Sequence, residues 1–241
     1  MAHAAGTTRE ALLLRGLDAA VPTGFAALLA RRLAHEPIAY ITGARDFWSI
    51  ELAVGPGALV PRPDSETLIE AAVAHFAGKR TPTTILDLGT GPGTLLLAAL
   101  AEWADARGLG VDRSAAALDY AGVNAAGRAA FVRGDWATAI DGRFDLVLAN
   151  PPYVASGAML PADVARYEPA EALYAGPDGL DAYRVLAPQL PRLIAPGGVA
   201  VVEIGADQAA AAGALFGAGG LGVAVRRDLA SRDRALILQH P

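Results

Sequence analysis

The chain of 241 residues contains no cysteine. This absence excludes a disulfide framework, a thiolate metal site and a cysteine nucleophile. Lysine is almost absent too, because Lys79 is the only one and arginine carries the rest of the basic charge. The formal net charge of −5 argues against a broad phosphate-binding surface, which would need clustered lysine and arginine. The four histidines are scattered along the chain, so we predict no metal site.

Apolar segments that could direct the chain to a membrane are also lacking. Met1–Glu10 contains charged residues and no apolar core, so no signal peptide is predicted. Residues 208–225 carry no charge, but repeated glycines favour a helix, a turn and a short strand over a membrane span. A hydrophobic fraction of 53% and a charged fraction of 19% are typical of folded globular proteins. We therefore expect a cytoplasmic protein with no membrane partner.

Strands that alternate with helices dominate residues 61–241. The predicted strands are 85–88, 108–112, 130–133, 144–149, 199–203, 221–225 and 235–239. Helices are predicted near 94–104, 114–124, 180–194 and 208–216, with a turn at 196–198. This alternation predicts an α/β domain built on a doubly wound, mostly parallel, seven-stranded sheet of the Rossmann-like kind.

Two smaller pieces precede this domain. A short helical segment is predicted over residues 1–37, because leucines recur there at helical spacing and Pro22 is placed to open a second helix. Residues 38–60 are rich in β-branched and aromatic side chains and predict a β-hairpin linker. A helix from about Asp64 to Ala77 follows, with Asp64 as its expected N-cap.

A glycine-rich turn joins the first predicted strand of the α/β domain to its helix. Glycines there let the backbone turn sharply and let a ligand approach closely, beside the unpaired N–H groups of the helix start. A dinucleotide site would follow the spacing G-x-G-x-x-G, but the sixth position is Thr94 and the third glycine comes early, at Gly93. The spacing resembles motif one of the class I methyltransferases, which bind S-adenosylmethionine. The predicted cofactor residues of this turn are Gly89, Thr90, Gly91, Pro92 and Gly93.

Two further strand ends carry side chains suited to the same ligand. Ligands bind at the carboxyl ends of the strands in an open parallel sheet, so these residues should face one crevice. Asp112 ends the second strand, where a carboxylate can accept hydrogen bonds from both ribose hydroxyls. Asp135 and Trp136 follow the third strand, where a carboxylate can accept from the adenine amino group and an indole offers a flat apolar surface.

Asn150, Pro151, Pro152 and Tyr153 follow the fourth strand and form the most specific motif in the chain. The prolines hold the backbone extended, because the residue before a proline is pushed out of the helical region. The Asn150 side-chain oxygen and the Pro151 carbonyl can then point the same way, as two acceptors for the N–H groups of a planar amine or amide. Tyr153 adds an aromatic wall. This geometry suits methyl transfer to a weakly nucleophilic nitrogen, which needs orientation more than a strong base.

Longer blocks of sequence resemble the peptide-chain release-factor glutamine methyltransferases, also called the HemK family. The resemblance covers roughly residues 36–240 and is carried by blocks 36–43, 47–48, 61–66, 166–169, 178–180, 196–198 and 203–205, in addition to both motifs. It implies transfer of a methyl group from S-adenosylmethionine to the glutamine amide nitrogen (N5) of a Gly-Gly-Gln loop. The glycine turn, Asp112 and Trp136 would hold the cofactor, and Asn150–Tyr153 the glutamine.

The resemblance leaves some alternatives open. The family usually has a longer helical N-terminal domain than the roughly 35 residues that precede the linker here, and that domain helps to dock the release factor. An adenine amino-methyltransferase of nucleic acid shares the Asn150–Tyr153 motif, and a non-catalytic cofactor-binding module is the third reading. Net charge argues against the second reading, and the intact motif argues against the third. We expect a monomer with a release factor as partner and no direct contact with nucleic acid.

Overall fold

The computed structural model describes residues 1–15 and 20–241. Within them, secondary structure alternates along the chain and most of it belongs to a single α/β sheet. The helices and strands are α1 Arg9–Arg15, α2 Phe25–Leu33, α3 Ile38–Thr42, β1 Ala44–Phe47, β2 Ile50–Ala53, α4 Glu66–Phe76, β3 Thr84–Leu88, α5 Thr94–Glu102, β4 Arg107–Asp112, α6 Ala115–Ala125, β5 Ala130–Arg133, β6 Phe144–Ala149, α7 Ala162–Tyr167, α8 Asp181–Leu186, α9 Leu190–Leu193, β7 Ile194–Glu203, α10 Ala209–Ala218, β8 Gly222–Arg227 and β9 Asp233–Gln239.

The main sheet has seven strands in the order β5-β4-β3-β6-β7-β9-β8. The first five strands in this order are parallel, and β9 is antiparallel to both β7 and β8. The chain starts at β3, builds outward to β5, and then returns to place β6 on the other side of β3. The strand order therefore reverses between β3 and β6, which is where an open α/β sheet forms its ligand crevice. The predicted doubly wound, mostly parallel seven-stranded sheet is confirmed.

Apolar side chains cover both faces of this sheet. One core cluster packs the hairpin, α4 and α5 against alternate residues of β3 and β6, such as Ile85 and Leu146. The other packs α8, α9 and α10 against the opposite face, represented by Leu86 and Val147. Central strands buried on both faces read as continuous apolar runs, which explains why their positions could be predicted from the sequence.

The linker differs from the expected hairpin over 38–60. Ile38–Thr42 is a helix, and only Ala44–Ala53 forms the antiparallel pair β1–β2. Three local features favour a helix over a strand here. Pro37 precedes it, the Thr42 hydroxyl donates to the Ile38 carbonyl at 3.0 Å, and Gly43 ends it with φ of 79°. Burial of Tyr40, whose hydroxyl donates to the Ala58 carbonyl at 2.6 Å, fixes the helix against the main domain.

A single asparagine joins the hairpin to the glycine turn. The Asn124 side chain on α6 accepts a hydrogen bond from the Ala53 amide at 2.7 Å and donates to the Ala53 carbonyl at 3.0 Å. Its amide nitrogen also lies 2.9 Å from the Pro92 carbonyl. The linker is thereby held beside the end of β3, and the residues that follow β2 run along the crevice.

Several predicted boundaries are corrected. The second N-terminal helix starts at Phe25 rather than at Pro22, whose carbonyl accepts from the Phe25 amide in a preceding turn. The segment predicted as helix around residues 16–19 lies outside the described residues. The helix expected over 180–194 is two shorter helices, α8 and α9. The expected turn at 196–198 lies inside β7, where the register with β6 shifts.

Candidate active site

A cavity of about 320 Å³ opens at the carboxyl ends of β3, β4 and β6. Most of the residues predicted from the sequence line it. They are Gly89, Thr90, Gly91, Pro92, Asp112, Asp135, Trp136, Asn150 and Pro152. Gly93 is absent from this lining, while Pro151 and Tyr153 line a smaller cavity of about 50 Å³ next to it. Asn150 lines both cavities, so it stands where the two meet.

The glycine turn has a backbone that other residues rarely adopt. Gly89, Gly91 and Gly93 have φ values of 72°, 56° and 87°. A Cβ on Gly89 would lie 3.2 Å from the Trp136 ring, and one on Gly93 would lie 3.0 Å from the Leu97 side chain. The turn is thus a cradle whose shape requires glycine, although Gly93 serves packing under the helix rather than the cavity wall.

Asp87 lies under this turn, at a position for which the sequence predicts no role. One carboxylate oxygen accepts from the Thr90 hydroxyl at 2.6 Å and from the Leu96 amide at 3.2 Å, which caps the start of α5. The other oxygen is buried without a hydrogen-bond partner among the described residues. Burial raises the pKa of Asp87 to about 7, against the opposing effect of the Thr90 hydroxyl. Asp87 also lines the larger cavity, so its carboxyl group lies next to the space that a ligand would occupy.

Asp112, which is predicted to bind the ribose, also makes hydrogen bonds within the protein. One of its oxygens accepts from the Gly91 amide at 2.8 Å, and the other accepts from the Ser114 amide at 2.8 Å. A carboxylate has about four lone-pair sites, so both oxygens keep capacity for a ligand hydroxyl. Asp112 therefore holds the glycine turn to the end of β4 as well as lining the cavity.

Trp136 and Asp135 sit beyond β5 as expected, with different surroundings. Trp136 is partly buried, has φ of 49°, and packs its ring against Gly89. A tryptophan held in the left-handed region is strained, and such strain clusters at ligand-binding sites. Asp135 is exposed at the cavity rim. The pair offers an apolar wall next to a hydrogen-bond acceptor.

Asn150 is oriented by Ser65, which lies in a 3-10 turn before α4. The Asn150 Nδ2 donates to the Ser65 hydroxyl oxygen at 3.1 Å. Ser65 is 2% exposed, so this contact is shielded from water. With Nδ2 engaged there, the Asn150 Oδ1 is left as an acceptor. This is the acceptor that the sequence predicted.

Tyr153 is held at both ends. Its hydroxyl donates to Glu203 Oε1 at 3.2 Å, and its carbonyl accepts from the Gln208 side chain at 3.0 Å. Glu203 ends β7, is 1% exposed and lines the smaller cavity. Burial raises its pKa to about 7, and the Ser65 hydroxyl and the Arg234 charge oppose this rise. Glu203 and Ser65 belong to blocks of the family resemblance but received no role, because their partners are distant in sequence.

The end of the linker forms the remaining wall. Gly57 and residues 59–62 line the larger cavity, and Arg62 also lines the smaller one. Arg62 pairs with Glu168, which is 6% exposed and also accepts from the Val60 amide at 3.1 Å. Asp64, the expected N-cap of α4, makes no cap hydrogen bond and pairs instead with Arg232 and Arg234.

Comparison with known proteins identifies the family. The model of the methyltransferase small domain matches residues 65–166, and the model of the PrmC N-terminal domain matches residues 1–43. The release factor glutamine methyltransferase of Rhodospirillum rubrum is 44% identical, over 98% of this chain and 75% of the relative. That of Caulobacter vibrioides is 42% identical, over 97% of this chain and 85% of the relative. This chain belongs to the release factor glutamine methyltransferase family.

Membership confirms the first of the three readings of the sequence. The chain is an enzyme of the methyltransferase class, and the non-catalytic and nucleic-acid readings gain no support from these relatives. The match to the PrmC N-terminal domain covers α1, α2 and α3.

A solved structure supports the fold of this methyltransferase. The T. thermophilus 16S rRNA N2 G1207 methyltransferase, in complex with AdoMet and guanosine, has a TM-score of 0.53 and 21% identity over 82% of this chain and 50% of that one. At this identity the likeness concerns the fold alone. In the described ranges, no helix combines the length and apolarity that a bilayer span requires.

Proposed function

We propose that this enzyme transfers a methyl group from S-adenosylmethionine to the side-chain amide nitrogen of the glutamine in the Gly-Gly-Gln loop of a release factor. The family and the names of its relatives support this reaction. The observation that carries the assignment of the site is the position of Asn150. Its Nδ2 is engaged by Ser65, and it lines the boundary between a cavity large enough for a nucleoside and a smaller one beside Tyr153.

The larger cavity holds the cofactor in this proposal. The turn Gly89–Gly93 would cradle the methionine moiety, and the Asp87 carboxyl group would lie near its positive charge. Asp112 accepts hydrogen bonds from the ribose hydroxyls. Trp136 and Asp135 contact the adenine ring and its amino group. S-adenosylmethionine supplies an electrophilic methyl group on a sulfonium, and the chain supplies its position.

The smaller cavity receives the glutamine side chain. The Asn150 Oδ1 and the Pro151 carbonyl accept the two N–H bonds of the amide, and the Tyr153 ring forms one wall. An amide nitrogen is a poor nucleophile, so alignment with the methyl group is the main contribution, worth roughly 7–11 kcal/mol in well-oriented reactions. Both acceptors also favour the positive charge that grows on nitrogen. Formation of the new C–N bond would break the bond between the sulfur and the methyl carbon, with its electron pair left on sulfur as a neutral thioether, and one N–H proton of the amide would pass to solvent.

The proposal extends to the organisation of the protein. Residues 61–241 form the catalytic domain, 38–60 form a linker whose end closes the cofactor cavity, and 1–37 are a helical segment that contacts the release factor. The net charge of −5 supports a protein substrate rather than nucleic acid. We place the enzyme, as a monomer, in the cytoplasm.

Labelled S-adenosylmethionine and a purified release factor test this function. We expect label on the release factor, and peptide mass spectrometry should place one methyl group on the glutamine of Gly-Gly-Gln. A release factor with that glutamine changed to glutamate is the matched control and should take up no label. Label on another residue, or on RNA or DNA and not on the release factor, would contradict the proposal.

A further inference from the structure

We propose that Gln208 is a positioning residue for methyl transfer, which fixes the ring of Tyr153 in the wall of the smaller cavity through a hydrogen bond to the Tyr153 carbonyl. This inference rests on the proposed function, in which Tyr153 forms one wall of the site for the glutamine side chain. Gln208 immediately precedes α10 and lies in neither sequence motif. It follows Tyr153 by 55 positions, so no local pattern in the sequence connects the two residues.

Four hydrogen bonds meet at the side-chain amide of Gln208. Its Nε2 donates to the Tyr153 carbonyl at 3.0 Å and to the Gly179 carbonyl at 3.3 Å. Its Oε1 accepts from the Gly205 amide at 3.0 Å and from the Tyr183 hydroxyl at 3.1 Å. The side chain therefore joins the loop after β6 to the segment before α8, to α8 itself and to the turn between β7 and α10.

The backbone groups around this amide decide its orientation. The carbonyls of Tyr153 and Gly179 only accept hydrogen bonds, and the Gly205 amide only donates. The Nε2 must therefore face the two carbonyls, since a reversed amide would place its oxygen against both of them. A glutamate would meet the same conflict, because an ionised carboxylate only accepts. This set of partners thus requires glutamine and disfavours its isosteric acid.

Gly179 allows its loop to approach the end of the motif closely. Its φ is 73°, and a Cβ at this position would lie 2.3 Å from the Tyr153 carbonyl oxygen and 2.8 Å from the Gln208 Nε2. Only glycine permits such a close approach in this backbone conformation. The Tyr153 carbonyl, the Gly179 loop and the Gln208 amide therefore form one tight contact that no other residue at position 179 would preserve.

Tyr153 is held at its backbone and at its hydroxyl, and Gln208 supplies part of the backbone support. The peptide between Tyr153 and Val154 is held on both edges, because its N–H donates to the Leu173 carbonyl at 2.9 Å and its carbonyl accepts from Gln208. The Tyr153 hydroxyl donates to Glu203 Oε1 at 3.2 Å. With both ends of the residue held, the ring between them has one orientation. Loss of the Gln208 contact frees one edge of the peptide and lets the ring tilt.

A tilt of this ring changes the space in which the substrate amide is aligned. Tyr153 lines a cavity of only about 50 Å³ together with Asn150 and Pro151, which supply the two proposed acceptors. Misplacement of reacting groups by about 1 Å can cost about 100-fold in rate. Gln208 itself lines neither cavity, so its contribution to the rate passes through Tyr153.

Gln208→Glu is the sharpest test, because it keeps the shape and removes the two donors. We expect kcat on the release factor to fall about 10–100-fold, while Kd for S-adenosylmethionine by calorimetry stays close to the wild-type value. Gln189→Glu is the matched control, because Gln189 is also half-buried and its side-chain oxygen accepts from the Ala137 amide at 2.9 Å, an acceptor that glutamate keeps. This control should retain the wild-type kcat.

Gln208→Met covers the case in which the new charge unfolds the protein. It keeps the length of the side chain without polar atoms, and thermal melts fix an assay temperature at which each variant is folded. We expect at least about a 10-fold loss of kcat. A wild-type kcat for folded Gln208→Met would overturn the inference, and so would an equal loss of kcat in Gln189→Glu and Gln208→Glu.

A second background shows whether the effect passes through the Tyr153 ring. Tyr153→Ala removes the ring that Gln208 is proposed to position. Adding Gln208→Met to Tyr153→Ala should then change kcat by less than about threefold, because residues that act as one unit are not additive. A general loss of structure would lower kcat equally in both backgrounds, and that result would overturn the positioning role.

A spectroscopic readout separates this inference from the proposed function. In protein with isotope-labelled tyrosine, the carbonyl carbon resonance of Tyr153 is assigned by its loss in Tyr153→Phe. It should shift in Gln208→Met and keep its position in Gln189→Glu, and this measurement needs no release factor. If the wild type fails to methylate the glutamine, the proposed function fails, whereas an unchanged Tyr153 resonance in Gln208→Met overturns the positioning role.

Discussion

Buried carboxylates at the two ends of the main sheet have opposite environments. Asp145, near the amino end of β6, accepts from the Thr83 amide and hydroxyl at 2.8 Å each and pairs with Arg80. These contacts outweigh burial and lower its pKa to about 2. Asp87 and Glu203, at or near the carboxyl ends of β3 and β7, each keep one oxygen without a partner among the described residues, and burial raises both pKa values to about 7.

The difference shows how one sheet separates stability from function. At the amino end, a carboxylate fastens β6 to the start of β3 and all its capacity serves the fold. At the carboxyl end, charged groups are held in place but left partly unsatisfied, as expected where perturbed pKa values cluster at functional sites. Four substitutions test this division, in order of decreasing expected effect.

Asn150→Ala should show the largest effect, and on activity alone. It removes one acceptor aimed at the reacting nitrogen, and loss of one such preorganised group costs about 2–4 kcal/mol in the barrier. Single-turnover methylation measures the loss, and a thermal melt should show little change. Asn150→Asp keeps an acceptor and should retain part of the rate. A large drop in melting temperature, or a wild-type rate, would contradict the assigned role.

Asp112→Ala should weaken cofactor binding while the sheet stays folded. It removes the proposed ribose acceptor, the hydrogen bond from the Gly91 amide that holds the glycine turn, and the hydrogen bond from the Ser114 amide before α6. Hydrogen bonds to charged groups contribute about 1.5–3 kcal/mol, so Kd for S-adenosylmethionine should rise about 10–100-fold by calorimetry. Asp119→Ala, an exposed carboxylate on α6, is the matched control. Equal affinities would mean that the ribose is held elsewhere.

Asp145→Ala should do the reverse and lower stability with little effect on cofactor binding. Buried donors left without a partner cost about 1–3 kcal/mol. The pKa of Asp145 is lowered from 3.8 to about 2, so its stabilisation is present above pH 3.8 and is lost as pH falls through about 2. Urea unfolding at pH 7 and pH 3 measures this. If Asp145→Ala lowers the free energy of unfolding as much at pH 3 as at pH 7, the ionised carboxylate is not what stabilises the fold, and the contrast between Asp145 and Asp87 fails.

Asp87→Asn should have the smallest effect of the four substitutions. It should raise stability, whereas Asp145→Ala should lower it. The pKa of Asp87 is raised from 3.8 to about 7, so its folded form is favoured at low pH and penalised as pH rises through this window. Asparagine keeps an acceptor for Thr90 and Leu96 without the charge. We expect stabilisation on the order of 1 kcal/mol at pH 8, or about 2–4 °C, and none near pH 4.

The same variant should bind S-adenosylmethionine more weakly, because the negative charge that faces the cofactor is gone. Stability gained together with affinity lost would sharpen the comparison with Asp145. Lower stability at pH 8 would show that Asp87 serves the fold as Asp145 does.

Much of the fold could be predicted because its signals are local. The central strands are apolar on both faces, so their runs in the sequence mark them directly, and the alternation with helices predicts a parallel sheet. The linker was less predictable. Ile38–Thr42 has strand-like side chains, but the burial of Tyr40 against Ala58 favours a helix. Residue propensity alone missed this helix, because the local signals at Pro37 and Gly43 act together with the packing of Tyr40.

The site was predicted as a set of residue types at strand ends, and its supporting residues were not. Asp87, Ser65 and Glu203 hold the turn and the motif through partners that lie 3 to 85 positions away in the chain. A charged residue inside or ending an otherwise apolar strand was the available signal for Asp87 and Glu203. Ser65 offered none, because a buried serine is ordinary in a helix start.

By itself, the sequence determined the positions of the glycine turn and of Asn150–Tyr153, because glycine and proline restrict the backbone locally. It also placed these elements at one edge of a sheet, since parallel strands share their carboxyl ends. Only the tertiary structure decided which way the Asn150 amide faces and which buried carboxylates are satisfied. Both depend on hydrogen bonds between side chains brought together by folding, such as Ser65 with Asn150 and Thr83 with Asp145.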